Sequence, residues 1–422
     1  MKKFVCLFLT VICILSCIPI SATTPQSVTL MNCDTGRFIT DANGNQSFTM
    51  ASESDGTTFQ DDSGQYLDLR GTSASFSSSA IYYTVIEAEF GRYQIKLANG
   101  NYIYDSDDGV DNTATITNTS NGSLINTAWF ITPADEQAPL RILTLGDSLT
   151  YGVNLDLTGN EPRVAYRQTL SKELIDYFGE VVFVGNVDKY TTTIAEPYLY
   201  RHSGYSGYVI EDVYHVDQHP GIKPMVDEMM AKYKPDIVIM MLGTNDLGLA
   251  LMVKDIIPRW ESFVKQVESQ LPENGLLLCS ALPPISTTPK EPTFNEKIQS
   301  KIHTLANEGY KIGFVDPHTP MEPEEDIFLN SDGVHFNARG YDMIGRIFTD
   351  AITSAYTMSG EKISPNPLIP TDPYAEPVES SSQSQTNDSP ASTSPIVWVL
   401  IGLGSAIVIA IVLLIFILRK KK

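Results

Sequence analysis

From Arg141 onward the chain alternates short, unbroken apolar runs with longer mixed stretches. The apolar runs are RILTLG at 141, VVFVGN at 181, DIVIMMLG at 236, LLLCSALP at 276 and KIGFVDP at 311. Between them, residues 163–178, 221–233, 250–270 and 294–308 have helical character, and a last helix is expected after Asn337. Apolar strands separated by helices predict a parallel sheet covered on both faces. An open sheet of this kind gathers its chemistry at the carboxyl ends of its strands.

Residues 24–135 follow a different pattern. They are rich in Ser, Thr, Asn, Asp and Gly, and short alternating runs such as RYQIKL and TAWFIT predict half-buried strands. A repeat recurs as GRFITD at 36, GQYLDL at 64 and GNYIYD at 100, with TTFQ, YYTVI and AWFIT closing the three units. Three such units resemble a β-trefoil, with a β-sandwich as the open alternative. In DSDDGVD, residues 105–111, Gly is fifth and Ile116 stands twelfth, so the spacing fits a hairpin turn better than a calcium loop.

The two ends are apolar. MKK, then FVCLFLTVICILSCIPI, then small residues predict a secretory signal over residues 1–22. Residues 396–418 carry no charge and are followed by RKKK at 419–422, which predicts one membrane-crossing helix with a basic cytoplasmic tail and the body extracellular or lumenal. Residues 360–395 are rich in Pro, Ser, Thr and Glu and predict a disordered stalk. The body that carries the apolar strands and helices is expected over residues 139–358. Formal charge is −21, which argues against nucleic acid as a partner. Cys33 and Cys279 are the two cysteines outside the signal, too few for a disulfide framework. Asn45, Asn118, Asn121 and Asn387 head candidate glycan sequons.

The candidate chemistry begins at the end of the first apolar run. GDSL places Ser148 just past a strand, and a serine hydroxyl needs a base to become a nucleophile. In NSDGVHFNARGY, Asp332 precedes His335 by three positions, so the carboxylate can reach Nδ1 and leave Nε2 for Ser148. MLGTNDLG puts Asn245 on the loop after another strand, where its amide can donate to an oxyanion. HSGYSGYVI offers Gly207, whose N–H can approach a substrate closely. Gly204 is its rival, and Gly207 is preferred because YVIEDV after it has the pattern of a helix start. His202, His215 and His219 fit structural or surface roles, and Tyr166 and Arg167 packing and ion-pair roles. No HExxH or Cys/His pair at zinc spacing occurs, so neither a metal nor any other cofactor is expected.

Taken in order, GDS, Gly, GTND and D-x-x-H resemble the SGNH (GDSL) hydrolase family over residues 141–356. AYRQTL, VVFVGN and HSGYSG look like its acetylxylan-esterase-like branch, although Ser203 stands where that branch often has Glu. The resemblance implies a flavodoxin-like three-layer α/β/α sandwich with a five-stranded parallel sheet. It also implies Ser148, His335 and Asp332 as a triad, with an oxyanion hole made by Ser148, Gly207 and Asn245. The expected function is a cell-surface serine esterase acting on small acyl groups, acetyl first, of an acylated carbohydrate. Two alternatives stay open: a lipid-ester or lysophospholipid hydrolase, and a carbohydrate-binding adhesin in which the hydrolase part is secondary.

Overall fold

The computed structural model describes residues 25–88, 91–157, 163–187, 201–213, 219–249 and 251–362. These residues lie in one compact unit, Met1–Thr371. The expected signal, the apolar span, the basic tail and most of the expected stalk lie outside the described residues.

The N-terminal part is one antiparallel sheet of ten strands. Its first five are β1 (Gln26–Asn32), β2 (Ser47–Glu53), β3 (Gly56–Gln60), β4 (Tyr66–Asp68) and β5 (Ser75–Ser77). The others are β6 (Thr84–Glu87), β7 (Tyr93–Lys96), β8 (Tyr102–Asp105), β9 (Ile116–Thr119) and β10 (Ala128–Pro133). Their order is β5-β4-β3-β2-β1-β10-β7-β8-β9, with β6 on β7. The sheet curls until Thr57 bridges Tyr83.

Period-2 alternation gives its central strands two buried faces. Val28 and Leu30 of β1, with Trp129 of β10, fill the sheet's own core. Met31, Ala128 and Phe130, one position out of phase, join Cys33 and Phe38 in the core of the second part.

That second part is a six-stranded parallel sheet. Its strands are β11 (Leu140–Gly146), β12 (Val181–Val184), β13 (Ser203–Gly204), β14 (Ile237–Met241), β15 (Leu276–Ser280) and β16 (Ile312–Val315). The order is β12-β11-β14-β15-β16. β12 pairs with the first half of β11, and β13 with its last two residues, Leu145 and Gly146. β11, β12, β14, β15 and β16 are buried throughout except at Arg141, as continuous apolar runs require. The helices are α1 (Leu124–Thr127), α2 (Ser148–Tyr151), α3 (Arg167–Phe178), α4 (Val226–Tyr233), α5 (Thr244–Gly248), α6 (Val253–Glu268), α7 (Glu291–Asn307), α8 (His318–Met321), α9 (Glu325–Phe328) and α10 (Ala338–Ala355).

The expected fold is corrected on two counts. The N-terminal part is a single curled antiparallel sheet, not three equivalent trefoil units. GQYLDL and GNYIYD supply β4 and β8, whereas GRFITD contributes only the bridges of Phe38 to Met31 and Thr113. The parallel sheet has six strands where five apolar runs predicted five. The extra strand, β13, is a Ser-Gly pair held by backbone hydrogen bonds and carries no apolar signal. Among the described residues no helix is long and apolar enough to cross a membrane, and the expected span at residues 396–418 lies outside them.

Candidate active site

β11 ends at Gly146, where only glycine fits. A Cβ there would lie 2.3 Å from the Met241 carbonyl oxygen and 2.4 Å from Thr150 Oγ1. Asp147 then turns the chain into α2 by accepting the Leu149 N–H on Oδ1 at 3.0 Å. This N-cap makes Ser148 the first helical residue and leaves it at the carboxyl end of the strand. Asp147 is completely buried, and burial pushes its carboxyl up to about 6.

Ser148 Oγ lies 2.8 Å from His335 Nε2, and His335 Nδ1 lies 2.6 Å from Asp332 Oδ2. A tight turn makes the second contact. Gly333 adopts φ +68°, its N–H donates to Asn330 O at 3.0 Å, and Asn330 N–H donates to His335 O at 2.7 Å. Asp332 Oδ1 accepts the N–H groups of Val334 and His335 at 3.1 and 3.0 Å. Burial acts upward on the Asp332 carboxyl. The His335 ring and these N–H donors outweigh it and hold the group below its usual range, as a carboxylate. Asn337, two residues on, caps α10 by accepting the Gly340 N–H at 3.1 Å.

Asn245 is the second residue of α5, just past β14. Its Nδ2 donates to Tyr208 O at 2.7 Å, which orients the amide. An amide NH2 carries two donors, so one remains for a ligand. Gly207 sits at φ +84° in a turn closed by the Tyr208 N–H on Tyr205 O at 3.2 Å, and it is exposed. Gly204 is buried, and its N–H is taken by His202 Nδ1 at 3.0 Å. The preference for Gly207 therefore has a different basis from the one the sequence offered, because no helix follows it among residues 208–213. Ser148, Gly207 and Asn245 stand beyond the ends of three neighbouring strands: β11, β13 and β14.

The other histidines lie elsewhere. His202 is buried, and burial, followed by the Arg167 charge, pushes its imidazole well below the ordinary value. His318 Nε2 faces Glu291 Oε2 at 3.1 Å. His219 Nδ1 lies 3.4 Å from Gly207 O, and His215 is outside the described residues. Arg167, expected in an ion pair, is buried and donates to the carbonyls of Thr150 and Arg163. Ser203, in the place where a Glu was expected, is buried with its hydroxyl on Asn186 Oδ1 at 3.3 Å.

Two buried features escaped sequence reasoning. Asp246 accepts the Ile210 N–H at 3.1 Å, and burial, with the nearby Asp147 charge adding to it, pushes its carboxyl up to about 7. Asp105 and Asp107, expected in a hairpin turn, belong to a buried charge cluster described below. Among the described residues no group of three or more His, Cys, Asp or Glu side chains could hold a metal ion.

A cavity of about 450 Å³ opens beside Asp332, lined among others by Ser286, Thr287, Leu329, Asn330 and Ser331. A larger one of about 570 Å³ lies at the opposite end of β11, by Leu140 and Phe178. The smaller is the relevant one, because it adjoins the Ser148–His335–Asp332 row.

Residues 144–343 match the family model of the GDSL-like Lipase/Acylhydrolase family. A multidomain esterase of Ruminococcus flavefaciens is 27% identical over 228 residues, which is 50% of this chain and 28% of that protein. The chain thus spans under a third of that relative's length. Among solved structures, a Clostridium thermocellum family 3 carbohydrate esterase is 22% identical with a TM-score of 0.42, covering 50% of this chain and 94% of its own. A carbohydrate esterase family 3 structure from Talaromyces cellulolyticus is 20% identical with a TM-score of 0.41, covering 50% and 95%.

Proposed function

Because residues 144–343 match the GDSL-like lipase/acylhydrolase family model, we propose that this protein is a serine esterase that removes small acyl groups, acetyl first, from a carbohydrate. The observation that carries the reading is the row of contacts from Ser148 Oγ to His335 at 2.8 Å and from His335 to Asp332 at 2.6 Å. A base oriented by a carboxylate and seated on a serine hydroxyl is what acyl transfer requires.

In the proposed reaction His335 Nε2 takes the Ser148 proton as Oγ attacks the ester carbonyl carbon. The carbonyl π electrons move to oxygen, and that oxyanion is met by the N–H groups of Ser148 and Gly207 and by the Asn245 amide. Collapse expels the alcohol, which leaves with the proton from His335. Water then repeats the sequence on the acyl-enzyme, with His335 again as base, releasing the acid and restoring Ser148. Asp332 remains a carboxylate and offsets the imidazolium charge in both halves. A polar acceptor is supported by the cavity beside Asp332, where hydroxyls and an amide outnumber apolar groups.

The test is acetate release from acetylated xylan and from an aryl acetate by the full chain. Ser148→Ala is expected to lower kcat on both by at least about 10³-fold. Equal turnover by the variant would end the serine mechanism. Turnover of the aryl acetate alone would end the carbohydrate assignment.

A further inference from the structure

The N-terminal and parallel sheets meet through charge as well as through carbon. Arg201 opens the segment that ends at Gly207. Its Nε and Nη2 grip both oxygens of Asp34 at 3.1 and 2.9 Å, and its Nη1 donates to Asp107 Oδ2 at 2.6 Å. Both carboxylates come from the N-terminal part. Asp107 also receives Lys232 Nζ at 3.0 Å, the Tyr233 hydroxyl at 3.2 Å and Arg37 Nη1 at 3.4 Å, while Arg37 pairs with Asp105 at 3.2 Å. Three carboxylates face three cations, and none of the six side chains is more than 15% exposed. Removing one member of such a cluster leaves its partner's charge buried and unpaired, which is costly. Asp107 holds φ +59°, a conformation L-residues with side chains rarely adopt.

The path from Arg201 to the candidate oxyanion loop has little slack. His202 exchanges backbone hydrogen bonds with Val187 at 2.9 and 3.3 Å. Ser203 and Gly204 pair with Leu145 and Gly146, and the Tyr205 N–H donates to Gly146 O at 2.9 Å. A Cβ on Gly185 would fall 2.3 Å from His202 C, and one on Gly204 would fall 2.3 Å from Tyr151 N. Residues 202–205, between Arg201 and the turn that carries Gly207, are thus tied closely to their neighbours.

We propose that Arg201 is a positioning residue for the oxyanion loop, and that the N-terminal sheet, through Asp34 and Asp107, completes the esterase site. The proposal rests on the esterase reading for its catalytic consequence, but not for the mechanical coupling. An attached module that only binds a polymer would leave the chemistry of a small soluble ester untouched. A module that holds the oxyanion loop would not.

The experiment uses the full chain as wild type, Asp34→Asn and Arg201→Lys, with amide hydrogen exchange over residues 201–209 and steady-state kinetics on an aryl acetate. For Asp34→Asn, exchange in that segment should quicken about tenfold while β14 and β15 stay protected. Its kcat should fall about tenfold, with KM within about twofold. Arg201→Lys keeps the charge but not the two-pronged grip, so it should fall between the two. Unchanged exchange and kcat in a folded Asp34→Asn protein, even with a lower melting temperature, would overturn the proposal. If wild type cleaves no ester yet Asp34→Asn still quickens exchange only in that segment, the esterase reading falls and the coupling stands. Unaltered exchange overturns the coupling whatever the activity.

Discussion

Asp147 has two consequences at the end of β11. Its Oδ1 starts the helix that presents Ser148, and its burial places a reluctant anion beside Asp246. Burial raises the Asp147 carboxyl from 3.8 to about 6, so the folded state binds its proton more tightly than the unfolded chain. Stability from this group is therefore present below pH 4 and lost as pH rises to about 6. Asp147→Asn keeps the capping oxygen and removes the charge. It should raise unfolding free energy by on the order of 2–3 kcal/mol at pH 7.5 and by little at pH 4, as read by urea denaturation. An equal gain at both pH values would show that charge is not the cause. At this scale the sequence was uneven. Asp332 and His335 lie three apart around a glycine turn, so their meeting is local and legible. The burial of Asp147 is not local. It depends on the loop at Thr244, which comes nearly a hundred residues later, and no spacing announces it.

The elements that carry the site are held by backbone proximity. β11 and β14 run so close that Gly146 has no room for a methyl group. Gly146→Ala should cost about 1–3 kcal/mol and also displace Ser148, so kcat should fall more than the melting temperature suggests. Thermal melting with kinetics below the transition would check this, and a stable variant with wild-type kcat would refute it. Long apolar runs made β11, β14, β15 and β16 legible, and a last helix after Asn337 was legible as well. β13 was not, because its two residues are small and its stability comes from pairing with Leu145 and Gly146. The helix expected at YVIEDV is absent because Val209 and Val213 bridge Gly221 and His219 instead.

On the scale of the whole molecule, β1 and β10 are shared walls. Their even and odd positions feed different cores, a use of period 2 that alternation alone cannot distinguish from one buried face and one wet face. Phe130 is 4% exposed and packs on the parallel-sheet side. Phe130→Ala should cost about 3–5 kcal/mol and lower one common melting transition, followed by calorimetry. Two separate transitions in the wild type, with only the first shifted, would contradict a shared wall. The three repeats in the sequence drew attention to symmetry within the N-terminal part. They gave no sign that its outward face was spoken for.

Met31, Cys33, Phe38 and Phe130 give that shared wall a consequence for inheritance. Genes for binding modules and catalytic modules are often shuffled as separate beads. Here the seam runs through interlocked carbon, so a cut between residues 135 and 139 would leave each piece with a bare oily flank. A graft of either half onto a foreign partner would therefore have to carry a matching apolar face for the seam.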